Sequence, residues 1–419
     1  MTKPTIDRIT ATEILDSRGE PTVRATIILT DGQQASAAVP AGASTGLHEA
    51  HELRDGVGRY GGRGVLRAVE HVRTTIHQAL RGMAVDQQAE LDQKLVELDG
   101  TADRSHLGAN AILSVSLACA RTASLAHHLP LYRYLRQRYD LPESKNFPRP
   151  MCNVLNGGQH ADNHISFQEF QLLPEGSTVA EQLERVAGII RQLRQLLIKR
   201  GDRTLVGDEG GFAPLLHTNE AGLQLLGQAT EAAALRLGHD VSFGLDVAAS
   251  EFYESATKMY HLEPEGLRVN AANLIGLYEQ LAERYPLRTL EDGLQEDDWA
   301  GWTKLTTRLG KKLLLIGDDL FVTQRDRLSQ GIRAKAANAI LIKPNQVGTL
   351  SETIETVKTA LDDGYAPVVS HRSGETCDDF IADLAVAVGS PYLKAGSLAR
   401  GERSAKYNRL LIIAAEVGA

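Results

Sequence analysis

The stretch "NAILIKPNQVGT", residues Asn338 to Thr349, contains an apolar run that ends in a charged residue. The letters AILI suit a buried strand, and Lys343 follows them directly. Five other runs in the second part of the chain also begin apolar and end in a polar residue. They are "VSFGLD" at Asp246, "LRTLED" at Glu291, "LLLIGD" at Asp318, "APVVSHR" at His371 and "YLK" at Lys394.

Helical patterns separate these runs. Thr178 and Glu181 form a capping box, Gly201 ends the helix that follows, and Thr349 and Glu352 form a second box. Alternating strands and helices predict a parallel sheet, and at least six units in about 275 residues favour a closed barrel. Barrel enzymes carry their chemistry at the C-terminal ends of the strands. We therefore expect the six strand-end residues to meet in space.

The first part of the chain has a different organisation. "PTVRATIILT" and "QASAAVP" flank a DG turn and predict a hairpin, and helical patterns follow over 65–81, 86–98, 107–126 and 131–139. The stretch "LPESKNFPRP" is the best linker candidate. We predict an α/β protein with an N-terminal α+β capping domain over 1–138 and a barrel domain over 146–419.

Composition narrows the function classes. The 419 residues carry a net charge of −8, which argues against a general nucleic-acid or anionic-membrane surface. Three cysteines at unrelated spacings favour a reducing compartment. The N-terminus lacks the apolar core of a signal peptide, and the apolar stretch "LGANAILSVSLACA" meets Arg121 too soon to span a bilayer. These features predict a cytoplasmic protein with no membrane span.

Three of the strand-end residues, Asp246, Glu291 and Asp318, are acids. Converging carboxylates repel one another unless a cation neutralises them, and an oxygen-only ligand set favours Mg²⁺. Each acid taken alone suits a helix cap or a solvated loop. Asp292 and Asp319 make two of the three positions acid pairs, and only one acid of each pair should face the metal.

The basic strand-end residues suit a substrate with several negative charges. Lys343, His371, Arg372 and Lys394 would face the metal and favour a phosphorylated carboxylic acid. Lys343 could act as a base if Mg²⁺ and a second lysine lower its pKa. The alternative is a lysine that extends to solvent from a strand end.

Glycine-rich stretches add further candidates. "VPAGASTGLHEA" is expected to be a flexible loop over the ligand. "VGDEGGFAP" offers Glu209, "NGGQHADN" offers His160, and "FQEF" offers Gln168 and Glu169. Taken singly, each of these side chains also suits a solvated loop. "GVGRYG" and "HEAH" fail as dinucleotide and zinc motifs, because no apolar strand precedes the first and the second is one residue short.

With these residues assembled, the chain closely resembles the enolase family. The motifs "LDSRGEPTV", "GASTG", "LGANAIL", "NGGQHADN", "GDEGGFAP", "LDVAASEFY", "GDDLFVT", "SHRSGET" and "KYNRLL" follow the order of the family over nearly the whole length. The resemblance implies an enolase-type (β/α)8 TIM-like barrel that begins with a strand pair and a helix pair. It also implies reversible dehydration of 2-phospho-D-glycerate to phosphoenolpyruvate in glycolysis.

The resemblance also implies residue roles. Asp246, Glu291 and Asp318 match the ligands of a first Mg²⁺, and Ser44 matches a residue that binds a second Mg²⁺ together with substrate phosphate. Lys343 matches the base. Further catalytic and substrate-contacting positions are Glu209 as the acid, Glu169 as its partner, His160, Gln168, His371, Arg372, Ser373 and Lys394. Proteins similar to this one are usually homodimers, sometimes octamers.

Four positions depart from the family pattern. They are Pro344 after the base, Gly293 near Glu291, Ala395 after Lys394, and Glu20 in "RGEPTV". Tolerated variation is one explanation. A paralogue that acts on a related phosphonate, such as one that forms carboxyphosphonoenolpyruvate, is the alternative. A binding protein that keeps the fold without activity would have lost a metal ligand or the base, and none is lost.

Overall fold

The N-terminal part of the chain is an antiparallel sheet covered by helices. The computed structural model describes residues 4–42, 48–143 and 147–418. The strands are β1 (Ile6–Leu15), β2 (Pro21–Leu29) and β3 (Gln34–Ala38), in that order in the sheet. The predicted hairpin is confirmed as β2 and β3, whereas β1 was not assigned from the sequence.

All four predicted helical regions of this part are confirmed. The helices are α1 (Leu66–His71), α2 (His77–Leu80), α3 (Gln88–Asp99), α4 (Ala109–Ala126) and α5 (Leu131–Arg138). A π-helical turn, Val72–Ile76, joins α1 to α2, so the helical run is continuous over the predicted range. The helix α4 packs on β2 and β3.

The helix α4 is long and apolar enough to cross a membrane by length and composition, with a mean hydropathy of 1.2. The helix continues through Arg121, the residue at which the uncharged part of the apolar stretch ends. However, 83% of the helix is buried inside the protein. Its apolar character is therefore that of a core helix.

The barrel expected from the strand-end pattern is present and closed. Its eight strands include all six predicted runs and two earlier ones. They are β4 (Arg149–Asn156), β5 (Glu169–Pro174), β6 (Val241–Asp246), β10 (Leu287–Glu291), β11 (Leu314–Gly317), β12 (Ala339–Ile342), β13 (Ala366–Ser370) and β14 (Tyr392–Lys394). Between β6 and β10 lies a small sheet of β7 (Tyr253–Glu254), β8 (Met259–Leu262) and β9 (Leu267–Val269).

One barrel strand runs against the others. The strand β5 pairs antiparallel with both β4 and β6, while the remaining neighbours pair parallel. A wholly parallel sheet, as the alternation predicted, is therefore wrong at this strand. The helices α6 (Val179–Arg200) and α7 (Glu220–Ala232) follow β5 and confirm the implied start with a strand pair and a helix pair.

The remaining helices alternate with the strands. They are α8 (Ala271–Arg284), α9 (Trp299–Leu309), α10 (Arg325–Ala334), α11 (Leu350–Asp362), α12 (Phe380–Val388) and α13 (Gly401–Val417). Both predicted caps are confirmed: the hydroxyls of Thr178 and Thr349 each accept the N–H three residues on, at 3.2 Å. The domain limits at 138 and 146 stay a prediction, and residues 144–146 of the linker lie outside the described residues.

The strand alternation decides which side chains reach the barrel mouth. A separate apolar cluster fills the barrel interior and consists of Met151, Leu173, Ile316, Ala339, Leu341, Val368 and Tyr392. Side chains two residues apart on a strand share a face. The residue two positions after an inward-facing apolar residue therefore also faces inward. These residues are Asp318 after Ile316, Lys343 after Leu341 and Lys394 after Tyr392. Asp319 does not belong to such a row.

An arginine joins the two parts of the chain. Arg121 of α4 forms ion pairs with Asp378 at 2.7 Å and with Asp379 at 2.6 Å, both in the barrel segment before α12. The Asp378 carboxylate also accepts the N–H of Ala38 at 2.9 Å. The Arg121 side chain is only 18% exposed, so water screens these pairs weakly.

We expect Arg121→Ala to lower the free energy of unfolding by about 3 kcal/mol, because it leaves two carboxylates without their buried partner. The matched control is Arg308→Ala, which removes an ion pair with Glu279 at an arginine that is 45% exposed. That change should cost about 1 kcal/mol or less. Urea unfolding of the three proteins measures both values, and equal losses would contradict a special role for Arg121.

Candidate active site

The structure brings the predicted site residues together at the barrel mouth. One pocket is lined by His160, Gln168, Glu169, Glu209, Asp246, Asp318, Lys343, His371, Arg372, Ser373 and Lys394. Glu291 lies directly beside it, bonded to Lys394. Ser44 lies outside the described residues, so its predicted role stays a prediction.

Lys394 is the central cation of the site. Its Nζ lies 2.9 Å from Asp246 Oδ2, 2.8 Å from both carboxylate oxygens of Glu291 and 3.3 Å from Glu169 Oε2. Burial lowers the pKa of Lys394, but the surrounding carboxylates outweigh it and hold this pKa well above its usual range. Burial and the charge of Asp246 hold the pKa of Glu291 well above its ordinary value. The cluster thus carries more buried negative charge than one ammonium balances.

Lys343 forms an ion pair with Asp318 through its Nζ. Burial lowers the pKa of Lys343, but the charge of Asp318 outweighs burial and raises it. Lys394 and Arg372 act in the expected, lowering direction, and the lowering by Mg²⁺ stays a prediction. The Asp318 carboxylate also accepts the side-chain N–H of Gln346 at 3.2 Å. Gln346 in turn accepts the hydroxyl of Thr323 at 2.6 Å, which fixes the amide.

The two acid pairs do not each present a single acid, contrary to expectation: Asp318 and Asp319 both line the pocket, as does Asp292. Asp292 has a φ of 42°, in the left-handed region. Its carboxylate accepts the backbone N–H of Asp318 at 2.9 Å and of Asp319 at 2.8 Å, so it supports the turn that presents Asp318. Ligand oxygens of Asp292, Asp318 and Asp319 all lie within 4.8 Å of one another. Glu291 faces Lys394 instead, as the alternation along β10 requires.

A second group joins two buried glutamates through a histidine. His160 Nδ1 lies 3.5 Å from Glu169 and its Nε2 lies 3.7 Å from Glu209. Burial and the charge of Glu209 hold the pKa of Glu169 well above its usual range. Burial also raises the pKa of Glu209, but His160 and His371 outweigh it and hold that pKa well below its usual range. Glu169 is therefore the more readily protonated of the two carboxyl groups.

Arg372 faces a carboxylate that the sequence analysis missed. Its guanidinium donates to Glu49 at 2.8 and 3.1 Å and to the side chain of Asn345 at 3.1 Å. Glu49 lies near the end of "VPAGASTGLHEA", the stretch expected to cover the ligand, and also inside the failed zinc motif, but it was not singled out. Its position in a loop expected over the ligand was the available signal. Gln346 was also missed, although it stands three residues after Lys343.

The proline after Lys343 fits the local backbone. Lys343 is extended, with φ −126° and ψ 99°, which suits a residue before proline. Pro344 then opens a short 3₁₀ turn over Pro344–Gln346, where its missing N–H costs no intrahelical bond. Pro344 therefore ends the strand at a place where both its own backbone and that of Lys343 suit a proline.

The other departures also have identifiable environments. The carbonyl of Gly293 accepts the hydroxyl of Tyr278 at 2.9 Å, a bond that needs no side chain at position 293. Ala395 is fully buried. Glu20 forms an ion pair with Arg63 at 3.0 Å, away from the pocket.

The donor set fits a hard divalent cation. Asp246, Glu291 and Asp318 are 4%, 1% and 8% exposed and offer only oxygen ligands. Three buried carboxylates with only oxygen ligands are the environment that favours Mg²⁺ over softer metals.

The closed barrel carries acids, lysines and histidines at its mouth. This arrangement is typical of a barrel enzyme with an acidic, metal-binding site. Two family models match the chain: "Enolase, N-terminal domain" over residues 6–135 and "Enolase, C-terminal TIM barrel domain" over residues 144–419. The chain therefore belongs to the enolase family. The family implies dependence on Mg²⁺, in agreement with the carboxylates of the site.

Curated relatives support the same assignment. The protein named Enolase from Wolinella succinogenes is 51% identical over 413 residues, which cover 98% of this chain and 97% of that protein. The proteins named Enolase from Legionella pneumophila strains Corby and Paris are each 52% identical over 410 residues, covering 97% of this chain and 96% of each relative. The similarity thus extends over both parts of the fold.

We expect Lys394→Met to lower the free energy of unfolding by about 3–5 kcal/mol in EDTA, because it leaves buried carboxylates uncompensated. Saturating Mg²⁺ should recover part of this loss, since a ligand that binds only the folded state stabilises it. Lys304→Met, at an exposed lysine of α9, is the control and should change stability by about 0.5 kcal/mol or less. Urea unfolding with and without Mg²⁺ gives these values, and identical losses in both buffers would oppose a metal at these acids.

Proposed function

We propose that the chain catalyses the reversible, Mg²⁺-dependent dehydration of 2-phospho-D-glycerate to phosphoenolpyruvate. The observation that carries this proposal is identity of about half the residues to proteins named Enolase over nearly the whole chain. The gathered carboxylates and lysines at the barrel mouth support it. This is a lyase reaction of glycolysis and gluconeogenesis.

Lys343 is proposed as the base that removes the proton alpha to the substrate carboxylate. It ends an inward row of the barrel, and its backbone N–H donates to the Thr323 hydroxyl at 2.9 Å, which fixes the strand end. To accept a proton, the amine has to leave Asp318, whose charge now keeps it protonated. A negatively charged substrate that binds together with cations would change the charge around Lys343 and therefore its pKa.

Glu209 is proposed as the acid that protonates the departing hydroxyl, with Glu169 as its partner. The raised pKa of Glu169 and the lowered pKa of Glu209 support a starting state in which Glu169 holds a proton and Glu209 does not. Glu209 therefore has to receive a proton before it donates one. His160 lies between the two carboxylates and is the group placed to relay it.

The remaining residues are proposed to bind substrate and metal. Asp246, Glu291 and Asp318 would hold a first Mg²⁺, and Ser44 would help to bind a second one together with phosphate. When bound, Mg²⁺ supplies positive charge that stabilises negative charge developing on the substrate carboxylate. The substrate contacts are assigned to Gln168, His371, Arg372, Ser373 and Lys394.

The relatives named above do not favour a phosphonate-specific paralogue, since all are named Enolase. We also propose a cytoplasmic homodimer, or an octamer built from dimers. Sedimentation of the purified chain measures its mass directly, and a monomer at micromolar concentration would refute both assemblies.

We expect purified protein to form phosphoenolpyruvate from 2-phosphoglycerate in Mg²⁺ and to lose this activity in EDTA, because the carboxylate site needs a divalent cation. Absorbance of the enol product follows the reaction. Added Mg²⁺ in excess of EDTA is the control and should restore the rate. Folded, Mg²⁺-binding protein without turnover would refute the proposed substrate.

Replacing Lys343 with Ala should lower kcat by about 10²- to 10⁴-fold, because the base is absent. Mg²⁺ binding, followed by calorimetry, should persist because Lys343 is not a metal ligand in this assignment. Lys311→Ala, at an exposed lysine, is the matched control and should keep the wild-type rate. Near-normal turnover of the Lys343 variant would exclude this residue as the base.

A further inference from the structure

An arginine outside the proposed catalytic group lies fully buried against the site. Arg403 belongs to the first turn of α13 and has 0% of its surface exposed. An arginine stays protonated in proteins, and burying its charge is costly unless its N–H groups are bonded. The hydrogen bonds of Arg403 therefore indicate its role at this position.

The guanidinium of Arg403 binds two loops of the site at once. One terminal nitrogen donates to His371 Nδ1 and to the Arg372 carbonyl, both at 2.6 Å. The other donates to the Asp208 carbonyl at 3.0 Å and to the Ser373 carbonyl. The only carboxylate recorded as its ion-pair partner is Glu402, at 3.4 Å from Nε, within the part of the chain that the structure describes.

The bond to His371 fixes the protonation state of that ring. A guanidinium donates and has no lone pair to accept, so Nδ1 of His371 has to be the acceptor. The ring is then neutral, with its hydrogen on Nε2, since the bond made by one ring nitrogen sets the state of the other. His371 Nε2 lies 3.5 Å from Glu209 Oε2 and makes no hydrogen bond to the residues that the structure describes, so this hydrogen stands beside the Glu209 carboxylate.

Electrostatics agree with a neutral ring. Burial, together with the charge of Arg403, lowers the pKa of His371 to about 3, against the opposing charge of Glu209. His371 also contacts the polar surface that binds substrate, because it lines the pocket with Arg372 and Ser373. A change of tautomer would turn a lone pair, instead of an N–H, towards Glu209.

We propose that Arg403 is a positioning residue that holds His371 as the neutral Nε2–H tautomer and so keeps an N–H group beside the Glu209 carboxylate. The effect on catalysis rests on the proposed function, in which Glu209 is the acid. The tautomer itself does not depend on any substrate, so the two can be tested separately.

A second buried cation of α13 provides a matched control. Lys406 is 1% exposed and donates to the Glu375 carboxylate at 2.7 Å and to the Thr376 carbonyl at 2.5 Å. Glu375 in turn accepts the backbone N–H of Arg372 at 3.2 Å. Lys406 thus supports the same loop from its other end, through bonds that leave the His371 ring untouched.

The test is ¹⁵N NMR of the full chain labelled at histidine, without substrate, with the His371 signals assigned by their loss in His371→Asn. The wild type should show a neutral Nε2–H ring at pH 7. Arg403→Met should show a mixture of tautomers or a charged ring, Arg403→Lys should recover the wild-type state in part, and Lys406→Met should match the wild type. A wild-type ring that is charged or carries its hydrogen on Nδ1 overturns the proposal, whether or not any variant folds.

Two further results would also overturn it. One is an unchanged tautomer in folded Arg403→Met, and the other is an equal change in Lys406→Met, which would indicate general loosening of the loop. In turnover assays, Arg403→Lys should lower kcat by about 10- to 100-fold because its donor is displaced, with Mg²⁺ affinity within about twofold of the wild type. Absence of wild-type turnover with the expected tautomer would refute the proposed function and leave the assignment of Arg403 intact.

Discussion

The arrangement of the barrel mouth follows from repulsion between carboxylates held at one level of the sheet. The β-sheet register places Glu169 and Glu291 on either side of Asp246, so three acids lie on adjacent strands. Buried like charges interact strongly, because little water is present to screen them. Lys394 reaches these acids from β14 on the other side of the barrel, and its ammonium contacts all three. A divalent cation is then the natural partner of the negative charge that remains.

The main part of this site could be predicted from the sequence because each strand marks its own end. Apolar side chains fill the barrel, so the first charged residue after such a run has to lie at its mouth. Asp318, Lys343 and Lys394 could be located in this way, and the interior cluster shows why. The orientation of β5 could not be predicted from the sequence, because its antiparallel pairing with β4 and β6 depends on chain connectivity and not on composition.

Residues whose roles depend on contacts with distant parts of the chain could not be predicted from the sequence either. Glu49 pairs with Arg372 across 323 positions of the chain. Arg403 resembles any helix-start arginine until its buried bonds to His371 are seen. The strand β1 was missed for a different reason, since "IDRITATEIL" mixes charged residues into its alternation. Its pairing with β2 supplies the backbone bonds that stabilise it.

The reversal of β5 has a consequence for how the chain tolerates added sequence. In the other barrel strands the connection that leaves the strand faces the mouth, but β5 begins there, at Glu169, and ends at Pro174 beside the start of β6. The short connection to α6 is therefore on the far side of the barrel from the chemistry. A fluorescent reporter or purification tag inserted between Gly176 and Ser177 would lie far from the pocket. The same insertion directly after any other barrel strand would lie at the mouth, close to the pocket. The reversed strand thus gives the barrel an internal attachment point that does not compete with the reaction.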